Sequence, residues 1–319
     1  MPQSSKDKVM KEFNKNSLIE KCRQNVVEDL FATKSFHNCW EIWKEHILAD
    51  NKTTSERGFI SIGSKLAEIF SKTGTSGRNQ SDLSMGGVAW ESLNCWYMNI
   101  MLLGTPAIVL KKSSHVPQPV KDALCVSYKG LESNSESDLV AVTFPDDFDP
   151  FIYTNAKKSE FFDTLSSECE KKPVFNQLSV SVIQCKTNWN DNSQKPMLWS
   201  MLYDRCMNDG QGSQDDENLK VFIGKNGYYL KDLKHFSYAF STVPTNRLLS
   251  FKAGMMAVER VKLISGGNYW GHETKSNVAK SIYEIFRGAR IGPINGKGAG
   301  EVLSQLLEKG SVIPEYFKL

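Results

Sequence analysis

Two polar side chains, Gln184 and Lys186, close an apolar run that begins at Leu178 and is rich in β-branched residues. Such a run is typical of a short buried strand. Because side chains alternate between the two faces of a strand, Gln184 and Lys186 are expected on the same face. An ammonium on a core strand is costly to desolvate without an anionic partner. Asp138, at the head of a second apolar run that ends at Phe144, could be that partner. A carboxylate, an amide oxygen and a lysine that meet at strand ends suit a hard divalent cation beside a phosphate.

The order of these residues is similar to a known motif. Asp138, followed by Gln184-Cys185-Lys186 at the end of an apolar strand, resembles the PD-(D/E)XK nuclease superfamily, in the variant with glutamine at the usual acidic position. Within that superfamily the chain most resembles type II restriction endonucleases, over roughly residues 86–287. The resemblance implies an α/β (α+β) fold in which helices flank a central mixed β-sheet with an αβββαβ core. It also implies Mg²⁺-dependent, sequence-specific hydrolysis of phosphodiester bonds in double-stranded DNA. The separation of 46 residues between Asp138 and Gln184 is at the long end for the superfamily.

The resemblance also implies a role for each residue. Asp138 and Gln184 would bind Mg²⁺, and Lys186 would help to deprotonate the attacking water and stabilise charge on the phosphate. Glu91 lies one turn into a strongly helical segment, residues 88–103, and matches the helix glutamate of many restriction enzymes. It would be a further metal ligand that restores the negative charge given up at Gln184. A solvated glutamate on the exposed helix face is the alternative.

A second aspartate competes with Asp138 for the metal. Asp146 forms a literal Pro-Asp pair with Pro145, but it follows its strand and is expected at the end opposite Lys186. Asp138 heads the strand, where its carboxylate can meet the lysine, and we prefer it. Glu136, one strand step earlier, could face the same cleft or belong to a turn.

Three polar or glycine-rich segments are candidates for contact with DNA. Residues 188–195, directly after the lysine strand, form a dense polar loop, which could instead be a plain connection to the next helix. Residues 265–272 combine glycines with aromatic side chains and donors, although Tyr269 and Trp270 could equally pack on the core. Residues 287–290 place two arginines on a turn suited to phosphates. The candidate DNA-binding residues are Asn188, Asn190, Asn192, Lys195, Asn268, Tyr269, His272, Arg287 and Arg290.

Composition limits the class and location of the protein. The net charge of +3 is too small to indicate a nucleic-acid binder by itself, although a basic cleft balanced by an acidic surface would give the same sum. Seven cysteines without a CxxC pair argue against a disulfide framework or a zinc site, and favour a reducing compartment. No apolar run approaches about 18 residues, and no secretory signal is apparent at the start. We therefore expect a cytoplasmic protein. The glycine-rich residues 294–300 lack the Gly-Lys-Ser/Thr ending of a P-loop, which argues against an NTPase.

The periodicity of apolar residues predicts the elements that would position these groups. Predicted helices cover residues 17–49 (two helices), 59–71, 88–103, 159–171, 196–207, 275–287 and 301–309. Predicted strands cover 107–110, 124–128, 138–144, 178–186, 221–223, 228–230 and 236–243, with a polar turn at 130–137 and a hairpin at Asn226-Gly227. Residues 71–87 could be a loop that orders on DNA or a linker. We divide the chain into a helical N-terminal region, 1–85, and a nuclease core with recognition loops, 86–319, which could be one continuous domain.

Other functions stay open at this point. The runner-up is a repair or recombination nuclease of the same superfamily. A DNA-binding protein with a decayed catalytic site, and an unrelated α/β protein in which Lys186 is simply paired in the core, are further alternatives. The restriction hypothesis implies a homodimer that reads a palindrome, and a DNA methyltransferase in the same system that is not part of a stable complex.

Overall fold

The computed structural model describes residues 13–49, 53, 55–73, 80–134, 137–150, 156–187, 194–209, 221–243, 254–270, 281–292, 299–310 and 313–319. The helices in these ranges are α1 (Leu18–Ala32), α2 (Lys34–Leu48), α3 (Glu56–Ser71), α4 (Gln80–Met101), α5 (Gln118–Leu124), α6 (Lys158–Glu170), α7 (Lys172–Phe175), α8 (Gln194–Asp209), α9 (Met256–Lys262), α10 (Ile282–Gly288) and α11 (Glu301–Glu308). The strands are β1 (Ala107–Leu110), β2 (Cys125–Tyr128), β3 (Leu131–Asn134), β4 (Leu139–Thr143), β5 (Ser179–Lys186), β6 (Val221–Ile223), β7 (His235–Thr242) and β8 (Asn268–Tyr269). None of these helices combines the length and the apolar character needed to cross a bilayer.

A mixed five-stranded sheet forms the centre of the fold, in the order β1-β4-β5-β7-β8. The pairs β1–β4 and β4–β5 are antiparallel, whereas β7 runs parallel to both β5 and β8. The apolar runs at 138–144 and 178–186 form the adjacent strands β4 and β5, which are almost entirely buried. The predicted central mixed sheet flanked by helices is therefore confirmed. A smaller antiparallel sheet, β3-β2-β6, lies beside it.

Helix α4 is buried from Ala89 to its end at Met101 at every position except the half-buried Glu91. Such all-round burial arises because α4 packs against α1, α2 and α3 as well as β1 and β5. Asn99 in α4 satisfies the edge of the sheet: its amide donates to the carbonyl of Val109 at 2.8 Å and accepts from the Val109 N–H at 3.2 Å. An edge strand otherwise presents unpaired backbone groups, so this side chain replaces a missing neighbour of β1.

The N-terminal helices share the apolar core of the sheet. One continuous cluster of buried side chains extends from Leu18 to Phe317. A fully buried arginine, Arg23 of α1, donates to the carbonyls of Thr105 and Ala107 at 3.2 and 2.8 Å. Helix α4 itself runs across the boundary that we placed between residues 85 and 86.

The small sheet differs from the sequence-based expectation. The predicted turn at 130–137 contains β3, because Lys129 and Gly130 adopt positive φ angles of 50° and 81° and close a tight hairpin with β2. The Asn226-Gly227 turn is present, but β6 pairs with β2 rather than with residues 228–230, which form no strand. Residues 80–87, which we assigned to a loop, are part of α4. The sequence predicted the turn at Asn226-Gly227, but it did not predict which strand β6 pairs with.

Candidate functional site

The register between β4 and β5 brings Asp138 to Lys186. Leu139 pairs with Ile183, so Asp138 lies at the end of the ladder, next to the last residues of β5. Its Oδ2 atom accepts a hydrogen bond from the backbone N–H of Cys185 at 2.7 Å. The Nζ atom of Lys186 lies 3.6 Å from the same oxygen. Both side chains are partly exposed, 17% for the aspartate and 23% for the lysine, so the pair is open to solvent at the end of the sheet.

Glu91 joins this pair from α4. The middle of the helix is held against β7, because the Trp90 indole donates to the carbonyl of Ser241 at 3.4 Å and the Ser241 hydroxyl donates to Asn94 at 2.9 Å. Burial raises the pKa of Glu91, and the negative charge of Asp138 raises it further, while nearby lysines lower it. Glu91, Asp138 and Lys186 therefore form one electrostatic cluster.

The sequence analysis did not identify a second lysine in the cluster, Lys111. Its Nζ atom lies 3.1 Å from Oε2 of Glu91, and each side chain is about one-fifth exposed. The neighbouring Lys112 instead pairs with Asp29 of α1 at 2.6 Å. The only feature of the sequence that pointed to Lys111 was its position directly after a predicted strand. In the structure this strand is β1, and its pairing of Leu110 with Val140 of β4 brings Lys111 to the end of β4 at which Asp138 lies.

Gln184 is fully buried, and its amide oxygen accepts from the hydroxyl of Tyr238 at 2.9 Å. Tyr238 in turn stacks on Tyr203 of α8. The oxygen that the motif would offer to a metal thus already has a donor from the core. The adjacent Cys185 is buried, and burial raises the pKa of its thiol well above the usual value, so the side chain is neutral.

Asp138 and Asp146, the two aspartates that compete for the metal, lie beyond opposite ends of β4. Asp146 is exposed beyond the C-terminal end of β4, whereas Asp138 precedes its N-terminal end. Asp146 therefore lies at the other end of the strand from the Lys186 pair, as we expected. Glu136 lies outside the described residues.

The candidate DNA-binding residues divide into three groups. Asn188, Asn190, Asn192 and His272 lie outside the described residues. Lys195, Arg287 and Arg290 are exposed. Asn268 and Tyr269 are only 2% and 1% exposed, which corrects our expectation that they reach DNA.

Burial of Tyr269 has a structural cause. Its hydroxyl accepts from the N–H of Ala67 and donates to the carbonyl of Ser64, both at 3.3 Å, so it connects β8 to α3. The adjacent Trp270 is fully buried. The chain thus adopts the alternative in which these aromatic side chains pack on the core.

The donor set at the end of β4 and β5 fits a hard divalent cation. Two carboxylates, Glu91 and Asp138, interact electrostatically, and a cation between like charges would relieve their repulsion. Mg²⁺ is commonly bound by one or two carboxylates together with waters and substrate phosphates. Among the described residues no group of three or more His, Cys, Asp and Glu side chains could hold a metal, so two carboxylates are what this site offers.

Comparison with known proteins adds no family assignment. No protein-family model matches the sequence, and a search of curated proteins finds no significant match.

Proposed function

We propose that this protein is a Mg²⁺-dependent endonuclease that hydrolyses phosphodiester bonds in double-stranded DNA, of the type II restriction class. The observation that carries the proposal is the convergence of Lys186, Asp138 and Glu91 from three separate elements at one solvent-accessible end of the sheet. Lysine and carboxylates at one sheet end are the groups that metal-assisted phosphodiester hydrolysis needs.

The order of elements gives independent support. When the elements between them are set aside, helix α4, strands β1, β4 and β5, helix α8 and strand β7 occur in the order αβββαβ, with three antiparallel strands and a fourth that is parallel to the third. This order agrees with the core that the resemblance to the PD-(D/E)XK superfamily implies, in which Asp138, Gln184 and Lys186 would be the catalytic positions. The smaller sheet and helices α1 to α3 would be additions to that core.

Each residue has a distinct task in the proposed reaction. Asp138 and Glu91 would hold Mg²⁺. The amide oxygen of Gln184 already accepts a hydrogen bond from Tyr238. Because this oxygen has a second lone pair, it would be a third metal ligand while it keeps that hydrogen bond. The chemistry that Mg²⁺ supplies when bound is neutralisation of charge on the phosphate. Lys186, held by Asp138, would orient the attacking water and stabilise the charge that develops on the phosphate as the leaving sugar oxygen departs. The Cys185 N–H would fix the orientation of the Asp138 carboxylate.

A cleavage assay with matched variants tests this proposal. The protein is incubated with a phage-length DNA in Mg²⁺ and, separately, in EDTA, and the products are separated on a gel. We expect discrete bands in Mg²⁺ alone, and we expect Lys186→Ala and Asp138→Asn each to lower the rate by at least about 10²-fold, the scale of one acid–base or electrostatic group. Asp146→Asn, beyond the opposite end of β4, should cleave like the wild type.

The outcomes separate the competing functions. A smear rather than bands would favour the repair or recombination nuclease. Intact DNA in every divalent cation, or full activity of Lys186→Ala, would remove the nuclease proposal.

The homodimer is tested by the mass of the protein in solution, with and without a DNA duplex. A monomer under both conditions would contradict the two-fold recognition of a palindrome. The companion methyltransferase remains part of the restriction proposal.

A further inference from the structure

A small cavity adjoins the proposed catalytic cluster. It has a volume of about 70 Å³ and lies beside β1 and β4, where α5 and the segment after β1 form its other walls. Its polar lining comes from Lys111, Lys121, Ser113 and Ser137, and the rest of the lining is aliphatic. The cavity is thus basic, and it offers two hydroxyl groups.

Two of the lining residues connect the cavity to the cluster. Ser137 is the residue immediately before Asp138. Lys111 borders the cavity and also forms the 3.1 Å ion pair with Glu91. The cavity and the Asp138–Glu91 cluster therefore share Lys111 and meet at Ser137 and Asp138. Lys121, in contrast, borders the cavity from the last turn of α5.

The lining selects a small tetrahedral anion. Lysine ammonium groups and serine hydroxyls are the usual side-chain donors to phosphate oxygens. A cavity of about 70 Å³ has room for a group as small as one phosphate. In DNA each strand carries one phosphate per 3.4 Å of helix axis, so a protein that holds one phosphate at a catalytic centre has a second phosphate close beside it.

We propose that the cavity lined by Lys111, Lys121, Ser113 and Ser137 binds the backbone phosphate of DNA next to the phosphate that is cleaved. The inference rests on the proposed function, since it takes the occupant of the cluster to be DNA. Lys121 supplies charge to this neighbouring phosphate and has no part in the chemical step. Its contact would fix the register of the strand so that the scissile phosphate meets Lys186.

The salt dependence of DNA binding tests this role directly. Binding of a short duplex is measured between about 50 and 200 mM salt, with Ca²⁺ in place of Mg²⁺ so that the DNA stays intact. Each phosphate contact that a lysine makes contributes about 0.9 to the slope of log K against log salt concentration. We expect Lys121→Met, which keeps the aliphatic stem, to lower that slope by about 0.9 and to weaken binding several-fold at the lower salt concentration.

Lys112→Met is the matched control. Lys112 is a neighbour of Lys111 in sequence, but it is 52% exposed and paired with Asp29 on α1. We expect its slope to equal that of the wild type. An unchanged slope for Lys121→Met would overturn the inference, because it would show that Lys121 makes no phosphate contact. An equal drop in slope for Lys121→Met and Lys112→Met would also overturn it, because the effect would then be one of general surface charge.

The same measurements keep the two proposals apart. If the wild type cleaves DNA but Lys121→Met retains the wild-type slope, the cavity proposal fails and the nuclease proposal stands. If the wild type binds DNA without cleaving it and Lys121→Met loses about 0.9 of slope, the nuclease proposal fails and the cavity remains a DNA phosphate site. If the wild type binds no DNA, both are overturned. Once the cleavage point is mapped, a single neutral methylphosphonate next to it should weaken binding by the wild type more than binding by Lys121→Met, which has already lost one of the contacts to that phosphate. Equal losses for the two proteins would place the Lys121 contact elsewhere.

Discussion

Arg23 connects the first helix to the sheet through a fully buried guanidinium group. Its Nε atom contacts both carboxylate oxygens of Glu20, at 3.1 and 3.2 Å, and its terminal nitrogens donate to Asn99, Thr105 and Ala107 at distances from 2.8 to 3.3 Å. Glu20 is itself only 4% exposed and accepts from the N–H of Gly104 at 2.8 Å. The pair therefore fixes the turn that leads from α4 into β1, and so the strand that precedes Lys111.

Replacement of Arg23 by Met keeps most of the aliphatic stem and removes every one of these donors. The carboxylate of Glu20 would then be buried without its partner, and the carbonyls of Thr105 and Ala107 would lose a donor. Breaking a buried ion pair by removing one partner costs about 3–5 kcal/mol, because the remaining charge is left desolvated. We expect a loss of this size in the free energy of unfolding, measured by urea denaturation with an unchanged slope.

The double variant Glu20→Gln/Arg23→Met is the control. It removes the charge that the single variant leaves buried, so it should be more stable than Arg23→Met alone. A loss below about 1 kcal/mol for Arg23→Met would be the value of an exposed pair and would refute the assignment of a buried network. A double variant as unstable as the single one would show that the unpaired charge of Glu20 is not the cause.

Three further predictions concern groups near the site or in the core. Gln184→Ala should lower the free energy of unfolding by about 1–3 kcal/mol, because the buried Tyr238 hydroxyl loses the acceptor at Gln184. Adding Tyr238→Phe should restore part of this stability. If Gln184 is a metal ligand, the double variant should still fail to cleave DNA. Gly63→Ala should destabilise by about 1–3 kcal/mol, because a Cβ atom there would lie 2.1 Å from the hydroxyl of Tyr97, and a thermal melt that matches the wild type would contradict this close packing. Burial lowers the pKa of His115 despite a carboxylate 3.5 Å away, so the unfolded chain binds the proton more readily. Stability should therefore fall as the pH drops below the ordinary histidine value of 6.5, and urea midpoints of His115→Asn between about pH 7 and pH 5 should fall less than those of the wild type.

The elements that carry the cluster could be predicted from the sequence because each has a strong local signal. The runs at 138–144 and 178–186 combine apolar residues with the length of a strand, and α4 has aromatic and aliphatic residues at helical intervals. A period of two placed Gln184 and Lys186 on one face without knowledge of any neighbour. The end of β4 at which Asp138 lies followed from its position at the head of the run.

Contacts between distant segments could not be predicted in this way. The ion pair of Lys111 with Glu91 depends on the packing of α4 against β1, and a lysine after a strand is common on any surface. Tyr269 belongs to a glycine-rich segment with the composition of an exposed loop, but its hydroxyl bonds to α3, which is some 200 residues earlier in the chain. Local composition contains no information about such a partner, because tertiary packing decides whether an aromatic side chain is buried.

The long separation between Asp138 and Gln184 has a structural explanation that supports the cavity proposal. Between β4 and β5 the described part of the chain forms α6 and α7, and five cross-strand pairs set the register of the two strands, so the length of the connection does not affect where Asp138 meets Lys186. Helix α6, in this connection, packs against α5: the hydroxyl of Ser166 accepts a hydrogen bond at 3.0 Å from the N–H of Gln118, the first residue of α5. Because α5 supplies Lys121, the extra residues between the two motif strands hold the wall of the basic cavity in place. A shorter connection between β4 and β5 would keep the Asp138–Lys186 pair and α5, but it would remove the hydrogen bond between α6 and the first residue of α5.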